Sequence, residues 1–248
     1  MMRFEDMTRA EIDAFEAPDV AAARVLRPRD AATLILLGRC AGGLCVLMGR
    51  RHMRHAFMPG RFVFPGGRTD PADSRIRVAH PLHPAEEAKL IGPGKRVTAA
   101  RARALALSAV RETYEETGIL IGHKGPFATR SPHWQGFAEH GIKPSLGGLR
   151  YIARAITPPG RVRRFDTRFF AIWREDVALE LAEGGPTDEL EEIAWLTLDQ
   201  ARSADIPIIT RTVLDDLQRR IETDPELTPG APVPFYFVRA RHARRVLL

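Results

Sequence analysis

Cysteine is scarce in this chain of 248 residues: Cys40 and Cys45 are the only two. Without the further pairs that a disulfide framework or a zinc site requires, they are expected to be free thiols in a reducing, cytoplasmic setting. Long apolar runs are missing. The stretch 31–37 is among the longest, far short of the roughly 20 residues that span a bilayer, so no membrane span is expected. Residues 1–20 mix acids with arginines and lack an apolar core, which fits neither a secretory signal nor an acid-poor transit peptide. Lysine is almost absent. Of 37 basic residues only Lys89, Lys95, Lys124 and Lys143 are lysines, so arginine carries nearly all of the positive charge. Guanidinium groups suit phosphates; equally, the arginines are scattered, as a coding bias would leave them. With no dense basic block behind the net charge of +6, a nucleic-acid partner is not expected.

What remains is ordinary for a globular chain: 44% hydrophobic residues, 20 glycines and 19 prolines, enough for a substantial core. Residues 1–29 read as a polar arm with a short helix near 9–15. Two strand-length runs, 31–37 and 43–48, flank a Gly-Arg-Cys-Ala-Gly stretch and read as a hairpin. A third strand, ending at Phe64, stops at Pro65-Gly66-Gly67. Residues 68–97, broken by His80-Pro81, His83-Pro84 and other prolines and glycines, read as loop. Thr98 is placed to cap a helix running to Thr117, with Gly118 at its C-terminal end. Residues 119–121, 151–156, 167–173 and 192–198 read as strands; 122–148 has no clear pattern. An amphipathic helix covers 208–221, and 233–238 reads as a closing strand. No repeat or low-complexity linker divides the chain, so residues 1–248 read as a single domain.

The chemistry concentrates in Arg111-Glu112-Thr113-Tyr114-Glu115-Glu116-Thr117-Gly118-Ile119. On a helix, Glu112, Glu115 and Glu116 share one face, where three like charges repel. Such a cluster reads as a solvated acidic helix end, or as hard oxygen ligands for Mg²⁺ or Mn²⁺. Arg111, four residues before Glu115, can pair with and orient that ligand. Upstream, Phe64-Pro65-Gly66-Gly67 is a tight turn where backbone can approach a metal or phosphate.

Taken together, these segments resemble the Nudix box of the Nudix hydrolase family, in which a glycine and a glutamate precede REUXEEXGU, with U apolar. Arg111, Glu112, Glu115, Glu116, Gly118 and Ile119 stand in register, and Thr113 replaces an apolar residue. Gly67 followed by five residues reaches Asp73, an acid in the expected place, whereas counting back from Arg111 reaches Arg103. An insertion of about thirty residues therefore splits the box. The strand through Val46–Arg51 and the segment Glu192–Leu196 also resemble the family. The split box together with residues 164–170 resembles the coenzyme A diphosphatase subgroup.

That resemblance implies an α/β/α sandwich around a mixed β-sheet, and hydrolysis of the pyrophosphate bond in a nucleoside diphosphate linked to another moiety. Mg²⁺ or Mn²⁺ is implied at Glu112, Glu115, Glu116 and Gly66, with Arg111 orienting. Glu112, or Glu189 in the 186–192 loop, is the implied base; the sequence does not decide between them. CoA or acyl-CoA is the leading substrate, ADP-ribose or a similar nucleotide derivative the alternative, and a non-catalytic nucleotide- or RNA-sensing module a reading of another class. Arg50, Arg54, Gly67, Arg164 and Arg168 are the candidate substrate contacts, with Arg161 and Arg163 beside them. The subgroup also has an arginine four residues before Gly60, where this chain has Ala56. A homodimer accords with the family, and the 68–97 insertion is expected to line or cover the substrate site.

Overall fold

The computed structural model describes residues 3–16, 26–54, 58–93 and 97–248, so Ala56 falls outside the described residues. Helix α1 (Arg9–Glu16) is followed by β1 (Arg29–Cys40), β2 (Gly43–Arg51), β3 (Phe62–Val63) and β4 (Gly66–Arg68). Next come α2 (Pro84–Ile91), α3 (Ala99–Thr117), β5 (Ile119–Lys124), α4 (Gln135–Glu139), β6 (Ile142–Pro144) and β7 (Arg150–Ile156). The chain continues through β8 (Phe165–Trp173), β9 (Val177–Glu180), β10 (Leu190–Thr197), α5 (Leu198–Ser203), α6 (Ile208–Thr223), β11 (Pro234–Arg239) and β12 (His242–Leu247).

The main sheet has the order β10-β2-β1-β8-β7-β11-β12, with β3 added to β2 and β4 to β1. It is mixed: β1 runs parallel to β8 and β7 parallel to β11, while the other pairs are antiparallel. Strand β1 explains the layering. Side chains alternate along a strand, and here both faces are apolar, as expected for a buried central strand. Leu34 and Leu36 pack with Leu107 and Val110 of α3. Ile35 and Leu37 pack with Val213, Leu214 and Leu217 of α6. The expected α/β sandwich is present, with a smaller sheet, β6-β5-β9, beside it.

Several segments differ from their sequence reading. Residues 68–97 are not all loop. Pro71–Arg75 forms a 3₁₀ turn, and His83-Pro84 starts α2: proline is well placed at the first helical position, and His83 Nδ1 accepts the Ala85 N–H at 3.2 Å. The unassigned 122–148 region holds α4 and β6. Strand β12, unforeseen, is a mostly exposed edge strand with no buried face to impose alternation on its sequence. Cys40 and Cys45 are disulfide-bonded, not free. The hairpin register sets Gly43 opposite Cys40 and Gly38 opposite Cys45, leaving the two cysteine Cα atoms 6.0 Å apart, within a disulfide's usual span. The cysteine count therefore gives no argument for a reducing compartment. Among the described residues, no helix is long and apolar enough to cross a membrane.

Candidate active site

Helix α3 is fixed at both ends before it presents any chemistry. Thr98 Oγ1 accepts the Arg101 N–H at 3.1 Å, and Gly118 ends the helix in the left-handed region at φ 75°. A side chain at Gly118 would collide with the Gly184 backbone. Thr113, polar where the family motif is apolar, is fully buried; its hydroxyl donates to the Ala109 carbonyl at 2.8 Å. A satisfied hydroxyl is tolerated inside a core.

Against this helix lies β4, paired to β1 at Ala31–Thr33. A Cβ on Gly66 would stand 2.5 Å from the Ala32 carbonyl oxygen, and one on Gly67 would overlap the Glu112 carboxylate. Both glycines are thus demanded by close approach. The Gly66 N–H donates to Glu116 Oε2 at 2.8 Å, tying the turn to the helix.

Arg111, 5% exposed, sits at the centre of the charge network. Its Nη1 lies 2.8 Å from Glu112 Oε1 and 2.7 Å from Glu115 Oε2, its Nε 3.2 Å from Asp73 Oδ2, and its Nη2 donates to the Arg68 carbonyl at 3.1 Å. Burial works against its charge, but Glu112, Asp73 and Glu115 outweigh burial and raise its pKa. Asp73 comes from the 3₁₀ turn, is buried, and also accepts the Trp134 indole N–H at 2.9 Å. The acid counted from Gly67 therefore meets Arg111 although thirty-odd residues have entered between them. Burial still lifts the Asp73 pKa despite Arg111. Glu115 is engaged a second time, by His133 Nδ1 at 2.8 Å.

Glu112 and Glu116 are less well compensated. Burial, opposed by Arg111 and reinforced by Glu115, pushes Glu112 up to about 7. Glu116 is 2% exposed, and burial raises its pKa well above the usual range despite the Gly66 N–H. The attraction of Arg51 also opposes that rise but does not cancel it. Among the described residues no three metal-ligating side chains are gathered in one cluster, and Glu115 is engaged by Arg111 and His133. The half-buried Glu112 and the buried Glu116, in need of positive charge, nonetheless have the donor chemistry that suits a hard divalent cation.

A cleft of about 390 Å³ opens beside them. Gly66, Gly67, Arg68, Glu112, Arg51 and Glu189 line it at this end, and Arg51 Nη2 lies 3.9 Å from Glu189. The arginines singled out in the sequence are placed elsewhere. Arg50 points to the other side of β2, as strand alternation requires, and pairs with Glu192 at 2.8 Å. Arg54 is exposed, 3.4 Å from Asp188. Arg164 donates to the Leu26 and Thr157 carbonyls at 2.6 and 3.0 Å. Arg168 is 2% exposed and holds Asp30 at 3.0 Å and Asp166 at 3.1 Å on the α3 face of the sheet, and Arg161 is bound to Asp13 and Glu16. Arg163, also named from the sequence, is the exception and lines the cleft, together with Arg51 and Arg68. Alternation along β2 sets Arg51 on the side of Leu47, which packs with α3, and that is the signal that singles it out.

No protein-family model matches the chain. A Nudix hydrolase from Alicyclobacillus acidocaldarius is similar in structure, with 29% sequence identity and a TM-score of 0.58, over 76% of this chain and 90% of that one. The chain has the Nudix fold. More distant structures include RenU, a Nudix hydrolase from M. smegmatis, at 18% identity and a TM-score of 0.43, covering 82% of this chain and 92% of that one. Another is the Nudix domain of Shewanella oneidensis NrtR, in complex with ADP ribose, at 13% and 0.43, covering 87% and 99%. Within this fold α3, the glycine turn and the cleft converge on Glu112.

Proposed function

We propose that the enzyme hydrolyses the pyrophosphate bond of a nucleoside diphosphate joined to another moiety, using Mg²⁺ or Mn²⁺. Its preferred substrate is CoA or an acyl-CoA, giving 3′,5′-ADP and (acyl-)phosphopantetheine. One observation carries the reading: the under-compensated Glu112 and Glu116 meet the Gly66-Gly67 backbone at the end of a largely apolar cleft. Glu112, Glu116 and a reoriented Glu115 would hold the metal, which would supply positive charge against the phosphoryl oxygens and lower the pKa of a bound water. Arg111 keeps Glu112 and Glu115 in position. Glu189, facing the cleft from the 186–192 loop, takes the proton of the water; Glu112, poised near neutrality, is the other group able to do so. Arg51 and Arg68 offer guanidinium forks to phosphate oxygens.

The test is product analysis with Mg²⁺ or Mn²⁺ on CoA, acyl-CoAs, ADP-ribose, NADH and capped RNA, with Glu116→Gln as control. Release of 3′,5′-ADP from CoA compounds by the wild type alone supports the full reading. AMP from ADP-ribose, with CoA left intact, overturns the CoA assignment and keeps the pyrophosphatase. Nucleotide binding without turnover of any compound overturns the enzyme.

A further inference from the structure

The cleft crosses the sheet. Residues 31, 167 and 155 are register partners on β1, β8 and β7, and all three line it. Counting from β4, three strand intervals at ~4.8 Å each carry the cleft roughly 14 Å away from the glutamates. There it meets α1 and the short turn before it: Phe4 and Ile12 line the cleft yet are only 4% and 0% exposed, so they close it. Phe4 stacks edge-on against Tyr236 of β11, with ring centroids 5.6 Å apart. The arm carrying these two residues is fastened on both sides. Arg9 N–H donates to the Arg241 carbonyl at 2.8 Å, and Ala243 N–H to the Met7 carbonyl at 3.0 Å. Arg161 lies 2.7 Å from Asp13 and 3.2 Å from Glu16.

The lining away from the glutamates is mostly apolar, with Phe165, Phe169, Val63 and Ile209 prominent; among the described residues its polar side chains there are threonines together with Arg163 and Glu16. Among the described residues that line it there is no Asn, Gln, Asp or Lys. Such a surface takes an apolar group through area rather than hydrogen bonds.

Resting on the pyrophosphatase reading, we propose that the N-terminal arm is a specificity element. The apolar part of the diphosphate substrate occupies the cleft, with its phosphates toward Arg51 and Arg68, and Phe4 and Ile12 form the end wall that sets its maximum length. The probes are adenosine diphosphate β-alkyl esters from ethyl to dodecyl, compared for wild type, Phe4→Leu, Ile12→Val and Ile12→Ala, each checked for folding by its melting transition. The wild type should show a length optimum. In the folded variants the dodecyl-to-ethyl ratio of kcat/KM should rise about tenfold, since each methylene in an apolar pocket changes discrimination by roughly that factor. Binding of the same esters, measured calorimetrically, should shift in parallel. An unchanged ratio in every folded variant, or rates independent of length in the wild type, overturns the proposal while leaving the pyrophosphatase intact. If no ester and no other diphosphate is cut, the parent reading falls, and the wall is then judged by the calorimetric ratio alone.

Discussion

Between β1, β7 and β8, on the face away from the cleft, acids and arginines meet in matched pairs. Arg154 holds Asp166 through two bonds of 2.8 and 2.7 Å, and Arg168 spans Asp166 and Asp30. At the cleft end the balance is broken: Arg111 is shared among Asp73, Glu112 and Glu115, and Glu116 has a single backbone N–H. The first arrangement is self-sufficient and reads as scaffold. The second awaits a cation and reads as site. Charged residues deep in a protein do not by themselves mark function; an imbalance among them does.

The largest effect should come from breaking the unbalanced end. Glu116→Gln is expected to lower kcat/KM by about 10³-fold or more, since it removes a charged oxygen ligand, while leaving the melting temperature in EDTA equal or slightly higher. Steady-state rates and calorimetric melting of the same preparation check both. Retention of more than a tenth of the activity contradicts the role given to Glu116.

The balanced face should respond in the opposite sense. Arg168→Met leaves Asp30 and Asp166 short of a buried partner, which costs about 3–5 kcal/mol; for a chain of this size that is a drop on the order of 10 °C. Activity per folded molecule should stay within about twofold below the transition, because Arg168 is on the side of the sheet away from the cleft. A large fall in kcat at unchanged stability contradicts the assignment of Arg168 as scaffold.

Proton linkage sharpens the comparison further. The folded pKa of Glu112, about 7, and that of Glu116 are raised above the usual carboxylate value. The metal-free folded protein therefore holds protons that the unfolded chain has already released. Their contribution is full below about pH 4.5 and is lost as pH rises toward 7. Metal replaces those protons, so added Mg²⁺ should raise the melting temperature by a few degrees more at pH 7.5 than at pH 5.5. That difference should shrink in Glu116→Gln. Equal metal-induced shifts at both pH values contradict the linkage.

Much of this was readable from the sequence because it rests on local rules. The caps of α3, the spacing of its glutamates and the glycines of the turn are short-range features, and the acid at Asp73 follows from counting onward from Gly67. What escaped depends on distant partners. Arg164 and Arg168 read as phosphate ligands until Leu26, Asp30, Thr157 and Asp166 are known to surround them. His133 carries no signal until the fold brings it to Glu115. The arm reads as an appendage because its contacts run to Arg161, Arg241 and Ala243, far from it along the chain.

The smallest predicted effect separates two neighbours. Arg50 and Arg51 are chemically identical and adjacent, yet period-two alternation sends them to opposite sides of β2. Arg51 lines the cleft near Glu189, while Arg50 pairs with Glu191 and Glu192 on a half-exposed surface. Exposed pairs of that kind contribute ~1 kcal/mol or less. Arg51→Ala should therefore lower kcat/KM about tenfold, mainly through KM, by removing a charge-assisted contact worth roughly 1.5 kcal/mol to a phosphate. Arg50→Ala should change kcat/KM by less than about twofold, with a melting temperature within about 2 °C of wild type. Equal effects from the two substitutions mean that long-range field, rather than direct contact, is how arginine acts at this site, and the expected dependence on ionic strength would then be the same for both.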